Sequence, residues 1–303
     1  FTMFLSFIIV ASLLALVYSE DAAKFTASSP FWPQPTSFSL GNGVVTLSSS
    51  FHFKQVQKVE SDLLHRGMKR YQKIYEKYEN SVSQSKGEIL DSCNINVETV
   101  ENDVKKEKAT LNLDVDESYT IDITEDGKCD ISSSTVWGAL HALESFTQLL
   151  SRPEEGASSI QMTYAPVSLS NEARFAHRGV LLDSARHYLP MDTLKKMIDS
   201  LPMANFNVMH WHVEDAQSFP LDTPSSPKMV KGAFKPSETY SMEQVQELDQ
   251  YATDRGVRIV YEVDGPGHTA SWSKGYPELI NEACAKKYFY DINDLAVNPT
   301  LPE

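Results

Sequence analysis

Apolar and polar positions run in two successive rhythms along the chain. From about Phe31 to Pro166, short strand patterns are interleaved with helical ones. Phe31-Trp32-Pro33-Gln34-Pro35 predicts an extended lead-in, because proline disfavours helix at its own position and the one before. Val44 to Leu47 predicts a short strand. Leu64, Met68, Tyr71, Tyr75 and Tyr78 recur at helical spacing, with Lys69, Arg70, Lys73 and Lys77 between them. That pattern predicts an amphipathic helix whose aromatic stripe faces a core and whose lysines face water. Tyr119, Ile121 and Ile123 alternate with Thr120, Asp122 and Thr124, which predicts a half-buried strand. Asp126-Gly127 then predicts a hairpin turn. Val136, Leu140, Leu143 and Leu150 mark a second helix, stopped by Pro153.

After Ala173 the rhythm changes, beyond a polar break at Glu154-Glu155-Gly156-Ala157-Ser158-Ser159. Arg178 to Asp183 predicts a buried strand and Met191 to Ala204 a helix. Asn207 to His212 predicts a strand, Ser241 to Arg255 a helix and Arg258 to Glu262 a third strand. Ser241 with Gln244 three residues on forms a capping box, and Gly256 ends that helix. Strand and helix in alternation predict a parallel α/β sheet or barrel. The fold class is therefore α/β. The change of rhythm divides a small N-terminal α/β domain, a sheet plus helices, at 20–173 from 174–303, which is part of a (β/α)8 barrel if the alternation closes into one. A whole barrel takes roughly 250 residues, so 174–303 holds about half of one.

Composition narrows the class. The chain has 303 residues, a net charge of −14 and 41% hydrophobic residues. That acidity argues against a surface that neutralises nucleic-acid phosphates, and the apolar content suffices for a core. Phe4 to Val17 is an apolar run too short for a comfortable membrane span. Val17 and Ser19 suit cleavage before Glu20, so 1–19 reads as a secretory signal peptide, with an anchor helix as the alternative. The mature protein is then expected in the secretory pathway, lysosomal or secreted, with no stable membrane span. Three cysteines, Cys93, Cys129 and Cys284, leave one without an internal partner and do not fix the pairing. No Asn-x-Ser/Thr sequon occurs, since Asn298-Pro299-Thr300 is blocked by its proline.

Candidate chemistry gathers around the three C-terminal strands. The segments are His177-Arg178-Gly179 running into Leu181-Leu182-Asp183, His210-Trp211-His212-Val213-Glu214-Asp215, and Glu262-Val263-Asp264-Gly265-Pro266-Gly267-His268. Parallel α/β folds build active sites at the carboxyl ends of strands. In an extended chain His210, His212 and Glu214 share one face. Two imidazoles on one face suit a zinc ion, and they equally suit a hydrogen-bonded core. Asp215 and His268 form an acid–base candidate, because a carboxylate beside an imidazole orients it and fixes a proton on its ring. An ordinary buried polar pair is the other reading. Gly265-Pro266-Gly267 is a tight turn without the spacing of a phosphate cradle. Glu214 and Asp215 are neighbours that point to opposite faces of an extended chain, so they do not serve one bond unless the strand has already ended. Asp116-Glu117 reads as surface charge.

These segments resemble the eukaryotic, lysosomal-type β-N-acetylhexosaminidases of glycoside hydrolase family 20. In the first domain the resemblance rests on Trp32-Pro33-Gln34-Pro35, Glu117-Ser118-Tyr119-Thr120-Ile121, Thr135-Val136-Trp137-Gly138-Ala139-Leu140 and Glu144-Ser145-Phe146. In the second it rests on His177-Arg178-Gly179, Asp183-Ser184-Ala185-Arg186-His187-Tyr188, Asn207-Val208-Met209-His210-Trp211-His212, and Pro266-Gly267-His268-Thr269 with Ser271-Trp272. It implies removal of terminal N-acetylglucosamine or N-acetylgalactosamine from glycoconjugates, by a retaining route in which the substrate's own acetamido oxygen attacks. It implies no cofactor and no metal, and a homodimer or a heterodimer with a related subunit. By the same resemblance Arg178 is the arginine that grips sugar hydroxyls. Asp215 and His268 are the pair that supports the acid Glu, and His210 and His212 are scaffold.

Departures from the family pattern matter as much. Ala216 stands where a second Asp is common, Pro202 should disturb the last turn of its helix, and Cys284 resembles half of a disulfide whose partner comes later. The family's Gly-Gly-Asp-Glu segment, which carries the acid and the acetamide-orienting Asp, does not occur in these 303 residues. The chain alone is therefore expected to be inactive. A non-catalytic truncated relative that binds a glycan or a partner, and a metal-dependent barrel hydrolase using His210 and His212, are the alternatives. An incomplete barrel would also expose strand edges.

Overall fold

The computed structural model describes residues 29–56, 61–76, 87–99, 111–151, 159–280 and 296–298. The leader at 1–19, Lys77, Tyr78, Pro153, the polar break at 154–158 and Cys284 lie outside them. Among the described residues no helix is long and apolar enough to cross a membrane.

The first region contains β1 (Ser37–Gln55), α1 (Asp62–Glu76), β2 (Glu88–Thr99), β3 (Tyr119–Ile123), β4 (Cys129–Thr135), α2 (Val136–Gln148) and β5 (Gln161–Asn171). The strands pair in the order β1-β2-β4-β3-β5, and β1 also pairs with β5, so the sheet closes on itself. One long strand makes this closure possible. The Ser37–Thr46 half of β1 runs antiparallel to β5, and Val45–Gln55 runs parallel to β2. The strand predicted at Val44–Leu47 is thus the centre of a 19-residue strand. Its flanks, Gly41-Asn42-Gly43 and Ser48-Ser49-Ser50, carry no apolar alternation, which hid them. Gly127, at φ +76°, turns β3 into β4 as expected of that residue type.

Helical spacing explains the core of this region. Leu64, Met68, Tyr71 and Tyr75 of α1 are buried against Leu140, Leu143 and Phe146 of α2 and Phe51 and Phe53 of β1. Each such side chain contributes about 1.5–3 kcal/mol through its removal from water. The α2 helix stops at Gln148, so Leu150 packs against the core from beyond its end. Cys93 and Cys129 form a disulfide across the neighbouring strands β2 and β4.

The second region has β6 (Gly179–Asp183), α3 (Met191–Ser200), β7 (Val208–His212), α4 (Met242–Thr253) and β8 (Arg258–Glu262). The strands are parallel in the order β6-β7-β8, with Gly179, Val208 and Arg258 level at one end and Asp183, His212 and Glu262 level at the other. Val180, Leu182, Met209, Trp211 and Ile259 pack toward α3 and α4. The α4 helix carries the Ser241–Gln244 capping box. Pro202 begins a short 3-10 turn after α3, because a ring without an N–H cannot continue the ladder.

One expectation is corrected here. The β6 strand is not buried. Leu181 is 55% exposed, and Val260, level with it two strands away, is 36% exposed. Both belong to the middle of the sheet face opposite the helices, while Val208 and His212 toward its ends are buried.

The two regions meet through polar contacts. Arg66 of α1 pairs with Asp254 at 2.9 Å. Glu117 accepts from Asn207 Nδ2 at 3.0 Å and pairs with Arg178.

Candidate active site

Register brings three side chains to one level at the carboxyl ends of the strands: Asp183, His212 and Glu262. They share the face opposite the helices because side chains alternate along each strand. The chain beyond each strand adds the rest of the site.

Asp215 is its centre. It follows β7 and is fully buried. Its Oδ2 lies 2.7 Å from Arg186 Nη2 and 2.8 Å from His212 Nε2. Its Oδ1 accepts from the Ala216 N–H at 2.6 Å and faces His268 Nδ1 at 3.2 Å. A carboxylate with this many partners is held in one orientation.

Each donor is itself oriented. Asp183 accepts from the N–H groups of Ala185 and Arg186, at 3.0 and 3.1 Å, so it fixes the turn that carries Arg186. It also holds Arg186 Nη1 at 3.0 Å, and Gln217 Oε1 holds Nε at 3.2 Å. The two nitrogens of His212 face two carboxylates, Asp215 at 2.8 Å and Glu262 at 2.9 Å. Two carboxylates beside the ring favour its charged form. Burial works against that charge, but Asp215 and Glu262 outweigh it and raise the pKa. His210 Nε2 lies 2.7 Å from the same Glu262 oxygen.

His268 sits on the Gly265-Pro266-Gly267 turn in a left-handed conformation, φ +59°, unusual for a residue other than glycine. Its ring is 41% exposed. With Nδ1 directed at Asp215, the hydrogen bond places the proton there and leaves Nε2 as the group presented to the opening.

Ligand-type atoms of His212, Asp215 and Asp264 lie within 4.8 Å of one another. Asp215 Oδ2 is taken by Arg186 and His212, and His210 and His212 both turn to one oxygen of Glu262. These contacts tie the cluster into an ion-pair network with Arg186 and Glu262.

Of the three sequence-derived site residues, the structure brings Asp215 and His268 together and places Arg178 elsewhere. Arg178 precedes β6, at the end of the sheet away from Asp183, and each strand between those ends spans about 13 Å at ~3.3 Å per residue. All of its guanidinium nitrogens are engaged, Nε with Asn205 O at 2.6 Å, Nη1 with Phe175 O at 2.7 Å and Nη2 with Glu117. It joins the two regions and does not face the mouth. Glu117 is corrected with it: the residue is 7% exposed and is not surface charge. Burial would raise its pKa, but His141, Arg178 and Asn207 outweigh that and hold it down at about 2.

The arginine at the mouth is Arg186. Its signal was available, because Arg186 follows β6 whereas Arg178 precedes it, and sites form at carboxyl ends. Glu214 lies beyond β7, which ends at His212, so strand alternation no longer sets its direction, and it is Asp215 that joins His212. Glu214 is fully buried and accepts from Trp272 Nε1 at 3.0 Å. Burial, with Asp215 beside it, pushes its pKa up to about 7.

Comparison with known proteins adds the family. The model for the glycosyl hydrolase family 20 catalytic domain matches residues 175–302, and one described as beta-acetyl hexosaminidase like matches 31–149. The chain belongs to glycosyl hydrolase family 20. It is 33% identical over 265 residues to beta-hexosaminidase subunit B1 of Dictyostelium discoideum, which covers 88% of this chain and 46% of that protein. It is 34% identical to beta-hexosaminidase 1 of Arabidopsis thaliana, over 92% of this chain and 53% of that one. The fold matches the chitobiase of Flavobacterium johnsoniae with a TM-score of 0.68 and 27% identity, over 83% of this chain and 37% of that one. The chain thus spans about half the length of the curated relatives it matches.

Proposed function

We propose that the protein is a β-N-acetylhexosaminidase that removes terminal N-acetylglucosamine or N-acetylgalactosamine from glycoconjugates by retaining, substrate-assisted hydrolysis. The observation that carries this reading is the Asp215–His268 pair beside Arg186 at the carboxyl end of the parallel strands. Asp215 fixes the proton of His268 on Nδ1 and thereby turns Nε2 toward the opening. There it can hydrogen-bond a carboxyl acid and help match that acid's pKa to its task. Arg186, 38% exposed, keeps one hydrogen on each of Nη1 and Nη2 beyond its bonds to Asp183 and Asp215, and these can donate to vicinal hydroxyls. The acid Glu and the acetamide-orienting Asp of the family pattern are not among these 303 residues, which by themselves are expected to give negligible turnover.

The same proposal places the protein in the secretory pathway, lysosomal or secreted. The Cys93–Cys129 disulfide supports an oxidising compartment. It also assigns a dimer, homomeric or with a related subunit, in line with a relative named as a subunit.

The test is steady-state hydrolysis of an aryl N-acetyl-β-glucosaminide by the full-length protein and its Asp215→Asn variant. The variant should lose at least about tenfold in kcat, the scale of impaired acid–base assistance. Wild-type protein without turnover, or a variant with unchanged kcat, would overturn the proposal.

A further inference from the structure

We propose that Glu214 is a positioning residue for His268, holding the turn that carries it through a hydrogen bond to Trp272. This rests on the hexosaminidase reading and extends it to a residue that does not face the mouth.

The geometry runs in short steps. Glu214 Oε2 accepts from Trp272 Nε1 at 3.0 Å inside the protein, and the Glu214 side chain is fully buried. Trp272 lies in the 3-10 turn Ala270–Lys274, which follows His268 almost directly. Its indole reaches back under the Gly265-Pro266-Gly267 turn, with Cη2 4.0 Å from where a Gly265 side chain would begin. Phe219 packs edge-on against the indole, at 6.3 Å between ring centroids. A second tie joins the same two segments: Ser271 Oγ donates to the Asp215 carbonyl at 2.7 Å. Glu214 and Asp215 therefore grip one segment from adjacent positions. Asp215 takes the His268 ring with its carboxylate, and Glu214 takes the indole that supports the turn.

Two features say why such a grip is needed. His268 is held at φ +59°, a conformation an L residue keeps only when its surroundings impose it. The ring is 41% exposed, so packing over it does not supply that constraint. Glu214 is also an expensive anchor. Among the described residues its Oε1 has no side-chain partner, and no Lys or Arg bonds to either oxygen. A carboxyl buried this fully with so few donors is a destabilising feature. What the anchor requires is an acceptor for the indole N–H, and a neutral amide supplies one equally well.

The experiment uses the full-length protein with Glu214→Leu, Glu214→Gln, Trp272→Phe and the Glu214→Leu/Trp272→Phe double variant. Steady-state kinetics on an aryl N-acetyl-β-glucosaminide are combined with backbone hydrogen exchange over 264–273. Glu214→Leu and Trp272→Phe should each lower kcat about tenfold and change KM less than twofold. The double variant should be no worse than either single, because both remove one interaction. Glu214→Gln should keep at least a third of kcat. Exchange over 264–273 should accelerate at least tenfold in the leucine and phenylalanine variants and not in the glutamine one. If Glu214→Leu does not fold, Trp272→Phe against Glu214→Gln makes the same comparison. Additive losses, a glutamine variant as impaired as the leucine one, or unchanged exchange would overturn the proposal. Wild-type protein without hexosaminidase activity would count against the enzymatic reading alone, since exchange still reports the grip.

Discussion

Arg186 closes on Asp215, with Nη2 2.7 Å from Oδ2 of a carboxylate that has no exposure to water. The contact ties the turn after β6 to the segment after β7. It also supplies positive charge to a mouth that otherwise gathers Asp183, Asp215, Glu262 and Asp264.

The two arginines that flank β6 should therefore separate in their effects. Arg186→Met is expected to lower kcat/KM of the full-length protein at least about tenfold, because it removes a donor fork from the mouth. Arg178→Met should leave KM within about twofold and cost about 3–5 kcal/mol of stability, because it strands buried Glu117 without its cation. Kinetics per folded molecule and denaturant unfolding of both variants check this. Loss of sugar binding with unchanged stability in Arg178→Met would reverse the assignment.

Much of this architecture was legible in residue order, and the failures have physical causes. Helix α4 was readable because Ser241, Gln244 and Gly256 mark its ends and Val245, Leu248 and Ala252 its buried face. The carboxyl-end position of Asp215 and His268 followed from strand alternation with helices. Closure of the first sheet was not legible, since pairing of β1 with both β2 and β5 is a long-range event with no local signal. Arg178 was misplaced because a motif match says which residue recurs, while strand polarity says which end of the sheet it occupies. Glu117 looked like surface charge because its partners, Arg178 and Asn207, lie far away in sequence.

Glu214 gives the protein a pH dependence on the neutral side. Its folded pKa, about 7, is above the ordinary 4.5, so the folded state binds its proton more tightly. That contribution is fully present below about pH 4.5 and is lost as pH rises through 7. The groups around Glu214 are His212, Asp215 and the backbone of Asp264, and burial is the largest cause. The change amounts to at most about 3 kcal/mol at ~1.4 kcal/mol per pH unit. Thermal unfolding from pH 4 to 8 should show declining stability in the wild type and a flatter profile in Glu214→Gln. Equal slopes in the two would contradict it.

Glu117 acts on the acid side with the opposite sign. Its pKa, held at about 2, is below the ordinary 4.5, so its stabilising contribution is present above about pH 4.5 and is lost as pH falls toward 2. Glu117→Gln should unfold more easily than wild type at pH 6, and the difference should shrink toward pH 3. A difference that grows on acidification would exclude this account.

The most direct measurement is a crystal structure of the full-length protein with N-acetylglucosamine bound. The sugar is expected at the carboxyl ends of β6, β7 and β8, with hydroxyls on Arg186 and the His268 ring lining the same opening. A sugar seated beside Arg178 at the opposite end of the sheet, or one that leaves Arg186 and His268 untouched, would contradict the account.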